Sequence, residues 1–335
     1  MLAPTAQLAS LKAAMTQSQE SELAVRGESV MAARLGAARL DVDLGPASIQ
    51  VNRDGTVLIT GGTGGLGQAV SKHLIREHGI RRLVLTSRRG LEAEGAQSLV
   101  DALMQLGAEE VRVVACDVTN IESLRGVLDS IDGAHPLTCV FHLAGVLDDG
   151  VLSSMNAVRL GRVLAPKVNG AWNLHELTRE LELDGMVFFS SAAGSLGAPG
   201  QANYSAANAF LDSLAHYRCS LGLPSKSLAW GMWESTGMGM AEGLGRAELA
   251  RMSRQGIVAI SIDEGLRLLD SVLSRPEPVL VPVHFDLTKI QSMAEDAGEV
   301  PSMWRGLLKP RLRKVSVVSQ NATLLRTKLV GLNSN

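Results

Sequence analysis

The stretch from Thr56 to Gly67 constrains the fold of this chain more than any other. A short apolar run, Val57-Leu58-Ile59, is followed by threonines and glycines, and apolar residues at helical spacing begin only after Gly67. Short apolar runs bounded by turn residues are typical of buried parallel strands. The predicted order is therefore a strand, a glycine turn and a helix.

This glycine turn is a candidate dinucleotide site. It would leave backbone N–H groups free at the positive end of a helix, where a pyrophosphate can bind if no side chain blocks it. One dinucleotide spacing fits Gly62, Gly64 and Gly67, and a variant spacing fits Gly61, Gly65 and Gly67. A turn that needs glycine only for steric reasons is the alternative. The residues expected to contact the cofactor are Thr60, Gly61, Gly62, Thr63, Gly64, Gly65, Leu66 and Gly67.

The residues after the second predicted strand favour NADPH over NADH. An NADH site calls for Asp or Glu about 20 residues after the last glycine of the turn. This chain has Ser87, Arg88 and Arg89 there. A carboxylate would repel a 2′-phosphate, whereas a hydroxyl and a guanidinium can hydrogen-bond it. An exposed basic loop with no ligand is the alternative interpretation.

Composition indicates a globular protein and excludes several classes of function. The chain has 335 residues, of which 46% are hydrophobic and 20% charged, and this suffices for about two domains. A net charge of −2 gives no reason to expect nucleic acid as a partner. With no signal peptide and no apolar run near the roughly 18 residues of a membrane span, we expect a cytoplasmic protein without membrane contact. The histidines show no metal-binding spacing, so no metal is expected.

Strands and helices alternate along most of the chain. This alternation predicts an α/β fold of the Rossmann type, a doubly wound parallel sheet flanked by helices. A long helical tract over 152–181 is predicted to break at Pro166, because proline lacks an amide donor. The predicted strands are 57–59, 82–86, 111–115, 137–143, 186–190, 225–230 and 278–283.

Two further pairs of residues follow predicted strands on the edge where a dinucleotide would lie. Asp117 and Val118 follow the third strand and are expected at the adenine, and Ala144 and Gly145 follow the fourth. Residues 232–256 carry four methionines, which suit either a mobile lid or ordinary core packing.

The chain divides into three parts by pattern. Residues 1–50 hold two short strand-like runs and lack the mass for a core of their own, so we expect them to pair with another segment or to survive from a larger domain. Residues 51–290 form the predicted catalytic domain. Residues 291–335 are predicted to be a C-terminal helix and linker.

Ser191, Tyr204 and Asn208 are candidates for one pocket. Tyr204 and Asn208 lie four residues apart, on one face if the segment is helical. Ser191 ends the fifth predicted strand and leads into that segment. Each of the three could instead be ordinary: a tyrosine at a helix start, a serine at a strand end and an exposed asparagine.

Four motifs together resemble the ketoreductase domain of modular type I polyketide synthases, which belongs to the short-chain dehydrogenase/reductase superfamily. They occur in family order, and the resemblance covers about residues 54–286. The motifs are Thr60-Gly-Gly-Thr-Gly-Gly-Leu-Gly67, His142-Leu-Ala-Gly-Val-Leu-Asp-Asp149, Phe189-Ser-Ser-Ala-Ala-Gly194 and Pro199-Gly-Gln-Ala-Asn-Tyr-Ser-Ala-Ala-Asn-Ala-Phe210.

The resemblance implies a catalytic tetrad of Lys167, Ser191, Tyr204 and Asn208. Most short-chain dehydrogenases have lysine four residues after the tyrosine. In this family lysine and asparagine exchange places, and Ala165-Pro-Lys-Val-Asn-Gly170 matches the lysine motif. Tyr204 is expected to give the proton, Ser191 to hydrogen-bond the ketone oxygen, and Asn208 to hold a water or the backbone of the proton relay. Lys167 is also expected to contact the cofactor and to lower the pKa of Tyr204 from about 10 by roughly 1 to 3.

The implied reaction is reduction of a β-ketoacyl thioester by NADPH. Its substrate would be carried by the phosphopantetheine of an acyl carrier protein, with other synthase domains as further partners. Leu147-Asp148-Asp149 resembles the family's B-type motif, which implies a D-hydroxyl product. A free-standing short-chain reductase and an inactive Rossmann module are the alternatives. The residues expected to control substrate entry and stereochemistry are Leu147, Asp148, Asp149, Gln201 and Met232.

Overall fold

The computed structural model describes residues 4–17, 19–38, 48–234 and 256–308. Its strands are β1 Leu23–Arg26, β2 Ser29–Ala32, β3 Thr56–Thr60, β4 Arg82–Ser87, β5 Glu110–Ala115, β6 Leu137–His142, β7 Gly185–Ser191, β8 Ser225–Trp230, β9 Ile257–Val258, β10 Val279–Leu280 and β11 His284–Phe285. Its α-helices are α1 Pro4–Met15, α2 Gly65–His78, α3 Ala96–Gln105, α4 Ile121–Asp129, α5 Ala157–Leu164, α6 Gly170–Thr178, α7 Ala193–Leu196, α8 Ala202–Ser220, α9 Ile262–Leu273 and α10 Leu287–Ala297.

The larger of two compact units spans 40–285 and contains a seven-stranded sheet. The strand order is β10-β8-β7-β6-β3-β4-β5, and every neighbouring pair is parallel. β3 pairs with β4 on one side and with β6 on the other, so the winding direction changes between β3 and β6. Ligands of doubly wound sheets bind beyond the carboxyl ends of the strands at such a switch point. The predicted fold class is confirmed.

Hydrophobic clusters cover both faces of this sheet, so its central strands β3 and β6 are buried along their whole length. Side chains alternate between the two faces: Val57 and Ile59 of β3 belong to one cluster and Leu58 to the other. The first cluster includes residues of α2, α3 and α9, and the second includes residues of α4, α6 and α8. A rigid support for the carboxyl edge of the sheet results.

The helical tract does not break at Pro166, contrary to the prediction. Residues Ala165–Asn169 form a π-helical turn that joins α5 to α6, and the Gly170 N–H donates to the Ala165 carbonyl. The wider turn accommodates a residue without an N–H at its second position, so the chain stays helical. The last predicted strand is also shorter than expected: β10 covers only 279–280, since Pro278 and Pro282 flank it and cannot donate to a ladder.

The smaller unit comes from residues within 1–39 and 286–335. The two short strands predicted near the N-terminus are present as β1 and β2, which pair with one another antiparallel. The Glu20 carboxylate accepts hydrogen bonds from Arg34 at 2.6 Å and from Arg305 at 2.9 Å, and so links the N-terminal and C-terminal segments of this unit. The predicted linker beyond residue 308 lies outside the described residues.

The methionine-rich segment lies mostly outside the described residues, including Met238, Met240 and Met252. Met232 is described, and its carbonyl accepts a hydrogen bond from the Ile260 N–H at 2.7 Å. Within the described ranges, no helix combines the length and the apolar composition needed to cross a membrane.

Candidate active site

The glycine turn between β3 and α2 uses glycines of both predicted spacings. Gly61 has φ +70°, a left-handed conformation that favours glycine. A Cβ at Gly67 would lie 2.5 Å from the Gly61 carbonyl oxygen, and a Cβ at Gly62 would lie 2.8 Å from Leu85 Cβ. Gly64 precedes the first helical residue, Gly65. The turn therefore keeps a backbone surface free of side chains at the N-terminus of α2.

The end of β6 lies directly against this turn. A Cβ at Gly61 would come within 3.0 Å of the Ala144 N atom, so the predicted Ala144-Gly145 pair borders the glycine turn. The Leu143 N–H donates to the Thr60 carbonyl at 3.1 Å, and the Ala144 N–H lies 3.4 Å from the Thr60 hydroxyl. The carboxyl ends of β3 and β6 thus bring the glycine turn and the Ala144-Gly145 pair together.

The ends of β4 and β5 carry the other predicted cofactor residues. Ser87 is the last residue of β4, and its buried hydroxyl has no hydrogen-bond partner among the described residues. Arg88 and Arg89 follow it with exposed side chains. Asp117 follows β5, where its Oδ1 accepts from the Thr119 hydroxyl and N–H, and Val118 is buried beside it.

Lys167 is buried in the π-helical turn, with 2% of its surface exposed. Its Nζ donates to the Phe189 carbonyl at 2.8 Å and lies 5.6 Å from the centre of the Tyr204 ring. Burial lowers the pKa of Lys167 to about 8, although the Asp212 carboxylate favours the charged form. The predicted lysine therefore reaches β7 two residues before Ser191.

Ser191, Tyr204 and Asn208 meet where β7 faces the start of α8. Asn208 Nδ2 donates to the Tyr204 carbonyl at 2.8 Å, one helical turn away. The hydroxyl of Ser190 donates to the Asn208 carbonyl at 3.2 Å and fixes the helix to the strand. Asn208 Oδ1 is buried and, within the described chain, accepts no hydrogen bond. The Ser191 and Asn208 side chains both hydrogen-bond the Tyr204 side chain, and Lys167 lies over its ring, so the four residues of the predicted tetrad lie together.

The expectation that Lys167 lowers the pKa of Tyr204 is wrong for this structure. Burial raises the pKa of Tyr204, the Ser191 and Asn208 side chains oppose the rise, and the Asp149 carboxylate adds to it. The amine of Lys167 points to the Phe189 carbonyl and meets the tyrosine only across the ring face. The neutral phenol of Tyr204 is therefore favoured.

Three of the five predicted stereocontrol residues, Asp148, Asp149 and Gln201, lie together. Gln201 Nε2 donates to Asp149 Oδ2 at 2.7 Å, and Asn203 Nδ2 donates to the Asp148 carbonyl at 2.9 Å. Asp148 and Asp149 are half-buried, so Leu147-Asp148-Asp149 is not a solvated acidic turn. The loop after β6 is attached to the start of the helix that carries Tyr204.

His142 is a site residue that sequence reasoning did not assign a role. It is 1% exposed, and its Nε2–H donates to the Pro166 carbonyl at 3.0 Å, next to Lys167. Its Nδ1 accepts from the Thr60 hydroxyl at 2.7 Å. Burial, with Lys167 nearby, lowers its pKa to about 3, so the ring is neutral. The sequence signal that could have pointed to His142 is a histidine at the end of an apolar run that reads as a buried strand.

His73 and His78 form a cluster with Asp270. His73 Nε2 and His78 Nε2 are each 2.8 Å from Asp270 Oδ1, and the donor atoms lie within 4.8 Å of one another. Spacing in the sequence could not reveal this grouping, because Asp270 is 192 residues beyond His78. Hydrogen bonds between α2 and α9 account for it.

Residues 55–235 match the protein-family profile described as the KR domain. The spectinabilin polyketide synthase system protein NorB of Streptomyces orinoci is 52% identical over 253 residues, which are 76% of this chain and 12% of NorB. The chain therefore spans a small part of that relative.

Two solved structures are similar in fold. A structure of A-type ketoreductases from a modular polyketide synthase is 37% identical with a TM-score of 0.77, covering 87% of this chain and 59% of that one. PlmKR1, a ketoreductase from the first module of phoslactomycin biosynthesis in Streptomyces sp. HK803, is 32% identical with a TM-score of 0.78. That match covers 90% of this chain and 67% of PlmKR1.

Replacing the buried lysine should stabilise the fold in a pH-dependent way. The pKa of Lys167 is about 8 in the folded chain, against an ordinary value of 10.5 in the unfolded chain. Between these two pH values the unfolded chain binds more protons, so the free energy of unfolding of the unmodified chain rises with pH. Lys167→Met lacks this group. We expect the variant to be more stable below pH 8, with an advantage that shrinks as pH rises through the window.

Denaturant unfolding at several pH values measures this difference, with Lys12→Met at an exposed position as the control. If the stability difference stays constant between pH 8 and 10.5, burial does not lower the pKa of Lys167 in the folded chain.

Proposed function

Because this chain belongs to the KR-domain family of modular type I polyketide synthases, we propose that it reduces a β-ketoacyl thioester to a D-β-hydroxyacyl thioester with NADPH. The acyl chain would be held by an acyl carrier protein. The observation that carries the proposal is the convergence of Lys167, Ser191, Tyr204 and Asn208 at the same carboxyl edge of the parallel sheet as the glycine turn.

The residues present fit NADPH. A Cβ at Gly67 would clash with the backbone of Gly61 and Gly62, so the turn can close against α2, with N–H groups at the helix N-terminus for a pyrophosphate, only while this position is glycine. The Ser87 hydroxyl, which has no partner among the described residues, and the exposed Arg88 guanidinium suit a 2′-phosphate, and Asp117 suits the adenine amino group. When bound, NADPH supplies the hydride that reduces the ketone carbon.

Tyr204 and Ser191 act on the oxygen of the ketone. Negative charge that develops there needs a proton donor and a hydrogen-bond donor. Tyr204 keeps its proton because burial raises its pKa, and the Ser191 hydroxyl supplies the second donor. Together they lower the energy of the charged transition state.

Lys167 and Asn208 support Tyr204 from two sides. Lys167, with a pKa of about 8, is a cation at neutral pH that lies across the tyrosine ring and can accompany transfer of the phenolic proton. Asn208 Nδ2 donates to the Tyr204 carbonyl, and its Oδ1, without a partner in the described part of the chain, can accept from a water that resupplies the proton.

The chain's place in a larger assembly is part of the proposal. It covers 12% of NorB and is expected to work among other synthase domains and with a carrier protein, in the cytoplasm. Residues 1–50 would be the remnant of a structural subdomain and residues 291–335 a helix and linker.

The proposed reaction can be tested with one assay. The chain is incubated with NADPH and an acetoacetyl thioester of acyl carrier protein, and the stereoisomers of the hydroxy product are resolved. We expect the D isomer to predominate, because the contacts of Asp148 and Asp149 with the start of α8 support entry of the arm from one side. No NADPH oxidation would favour an inactive module, and a mainly L product would refute the stereochemical assignment.

Tyr204→Phe should nearly abolish reduction and leave NADPH affinity within a few-fold, because only the proton donor is lost. Turnover measured under saturating substrate, together with NADPH fluorescence titration, separates the two effects. Tyr217→Phe removes a hydroxyl from a half-exposed tyrosine of the same helix and serves as the control. Near-normal turnover of the Tyr204 variant would remove this residue from its role.

Arg88→Ala should narrow the preference for NADPH over NADH. Loss of one charge-assisted hydrogen bond to the 2′-phosphate costs roughly 1.5–3 kcal/mol, whereas NADH has no such group. The Michaelis constants for both cofactors measure the change, and turnover should shift less than preference. Unaltered selectivity would assign the phosphate contact to Arg89 or Ser87 instead.

A further inference from the structure

The loop that follows Leu147 is held from one side by Arg159 of α5. Arg159 Nε donates to Asp148 Oδ1 at 2.8 Å, and its Nη2 donates to the Asp149 carbonyl. Its Nη1 lies 3.4 Å from the Ser154 hydroxyl. A Cβ at Gly150 would come within 2.5 Å of Arg159 Nη1, so the guanidinium fills the concave side of the loop.

The same loop is held from the other side by the start of α8. The Gly150 N–H donates to the Gly200 carbonyl at 2.8 Å, and Gln201 binds Asp149. Asn203, fully buried, donates to the Asp148 carbonyl through Nδ2 and accepts from the Tyr204 N–H through Oδ1 at 2.9 Å. One side chain thus joins the loop backbone to the backbone of the candidate proton donor.

Asp148 and Asp149 have different surroundings. The Asp148 carboxylate is occupied by Arg159 and lies 3.6 Å from Arg162, so it anchors the loop. Asp149 presents a buried Oδ1 that, as far as the structure describes the chain, has no partner, and its charge acts on Tyr204. Asp149 therefore borders the candidate active site, whereas Asp148 faces α5.

We propose that Arg159 is a specificity-determining positioning residue, which holds the loop 147–150 in fixed register with Tyr204 and so fixes the face of the ketone that is reduced. The proposal rests on the proposed function. Arg159 acts through the loop and does not touch the substrate.

The physical basis is the number and direction of the contacts. A guanidinium is planar and offers several donors at fixed angles, so it can hold a carboxylate, a carbonyl and a hydroxyl at once. A lysine at this position offers one charged centre and would satisfy only part of the set. Without the guanidinium, the loop keeps its contacts to α8 but loses its support on the side of α5, and a second route for the thioester arm opens.

Arg159→Ala and Arg159→Lys test this proposal, with Arg162→Ala as the matched control. Arg162 lies on the same helix, approaches the same carboxylate and is more exposed. The assay uses the full chain, NADPH and acetoacetyl thioester of acyl carrier protein. It reports turnover and the ratio of major to minor stereoisomer, and hydrogen exchange over 147–154 reports on the loop without substrate.

For Arg159→Ala we expect the stereoisomer ratio to fall about tenfold or more, with faster exchange in the loop, because the guanidinium's hydrogen bonds to Asp148 and to the Asp149 carbonyl are lost. Turnover should change less than the ratio, Arg159→Lys should restore part of the selectivity, and Arg162→Ala should leave the ratio unchanged. A role limited to stability would lower turnover and melting temperature without changing the ratio.

An unchanged ratio in Arg159→Ala would overturn the assignment, and so would equal losses in Arg159→Ala and Arg162→Ala. Absence of any product from the unmodified chain would instead overturn the proposed function, and the assignment with it. The two failures are therefore distinguishable.

Discussion

The hydrogen bond between Thr60 and His142 joins the carboxyl ends of the two central strands, and much of the candidate site depends on it. On one side Thr60 leads into the glycine turn. On the other, the neutral imidazole donates to the Pro166 carbonyl and holds the turn that carries Lys167. A charged ring could not accept from Thr60, so burial, which keeps His142 neutral, is what allows one residue to connect the cofactor turn to the lysine.

Burial also determines the protonation states of the tetrad. Lys167 and Tyr204 are pushed in opposite senses by the same desolvation: the amine toward a lower pKa and the phenol toward a higher one. Both shifts favour the neutral form, as a low-dielectric environment must. The candidate site thus combines a phenol that holds its proton with a cation whose charge is costly to bury, as expected where stability is traded for function.

The proposed placement of the substrate depends on a different set of contacts. Arg159 and Asn203 attach the loop after β6 to two helices, and Asn203 extends the attachment to the Tyr204 backbone. The backbone of the loop is therefore hydrogen-bonded, through Asn203, to the backbone of Tyr204. A site assembled on helix and strand ends in this way can present a flexible acyl chain in one orientation, because the surrounding side chains are already ordered before the substrate arrives.

The sequence by itself determined the alternation of strands and helices, the glycine turn and the motif residues, because apolar periodicity and turn chemistry are local properties. It could not show that the helical tract passes through Pro166, since a π-helical turn that accommodates proline depends on the packing around it. Nor could it show that burial raises the pKa of Tyr204, which residues His142 hydrogen-bonds, or that Arg159 contacts the loop 147–150. Those follow from burial and from contacts between residues distant in the chain, such as Thr60 with His142 and Asp149 with Gln201, which only the tertiary structure brings within hydrogen-bond distance.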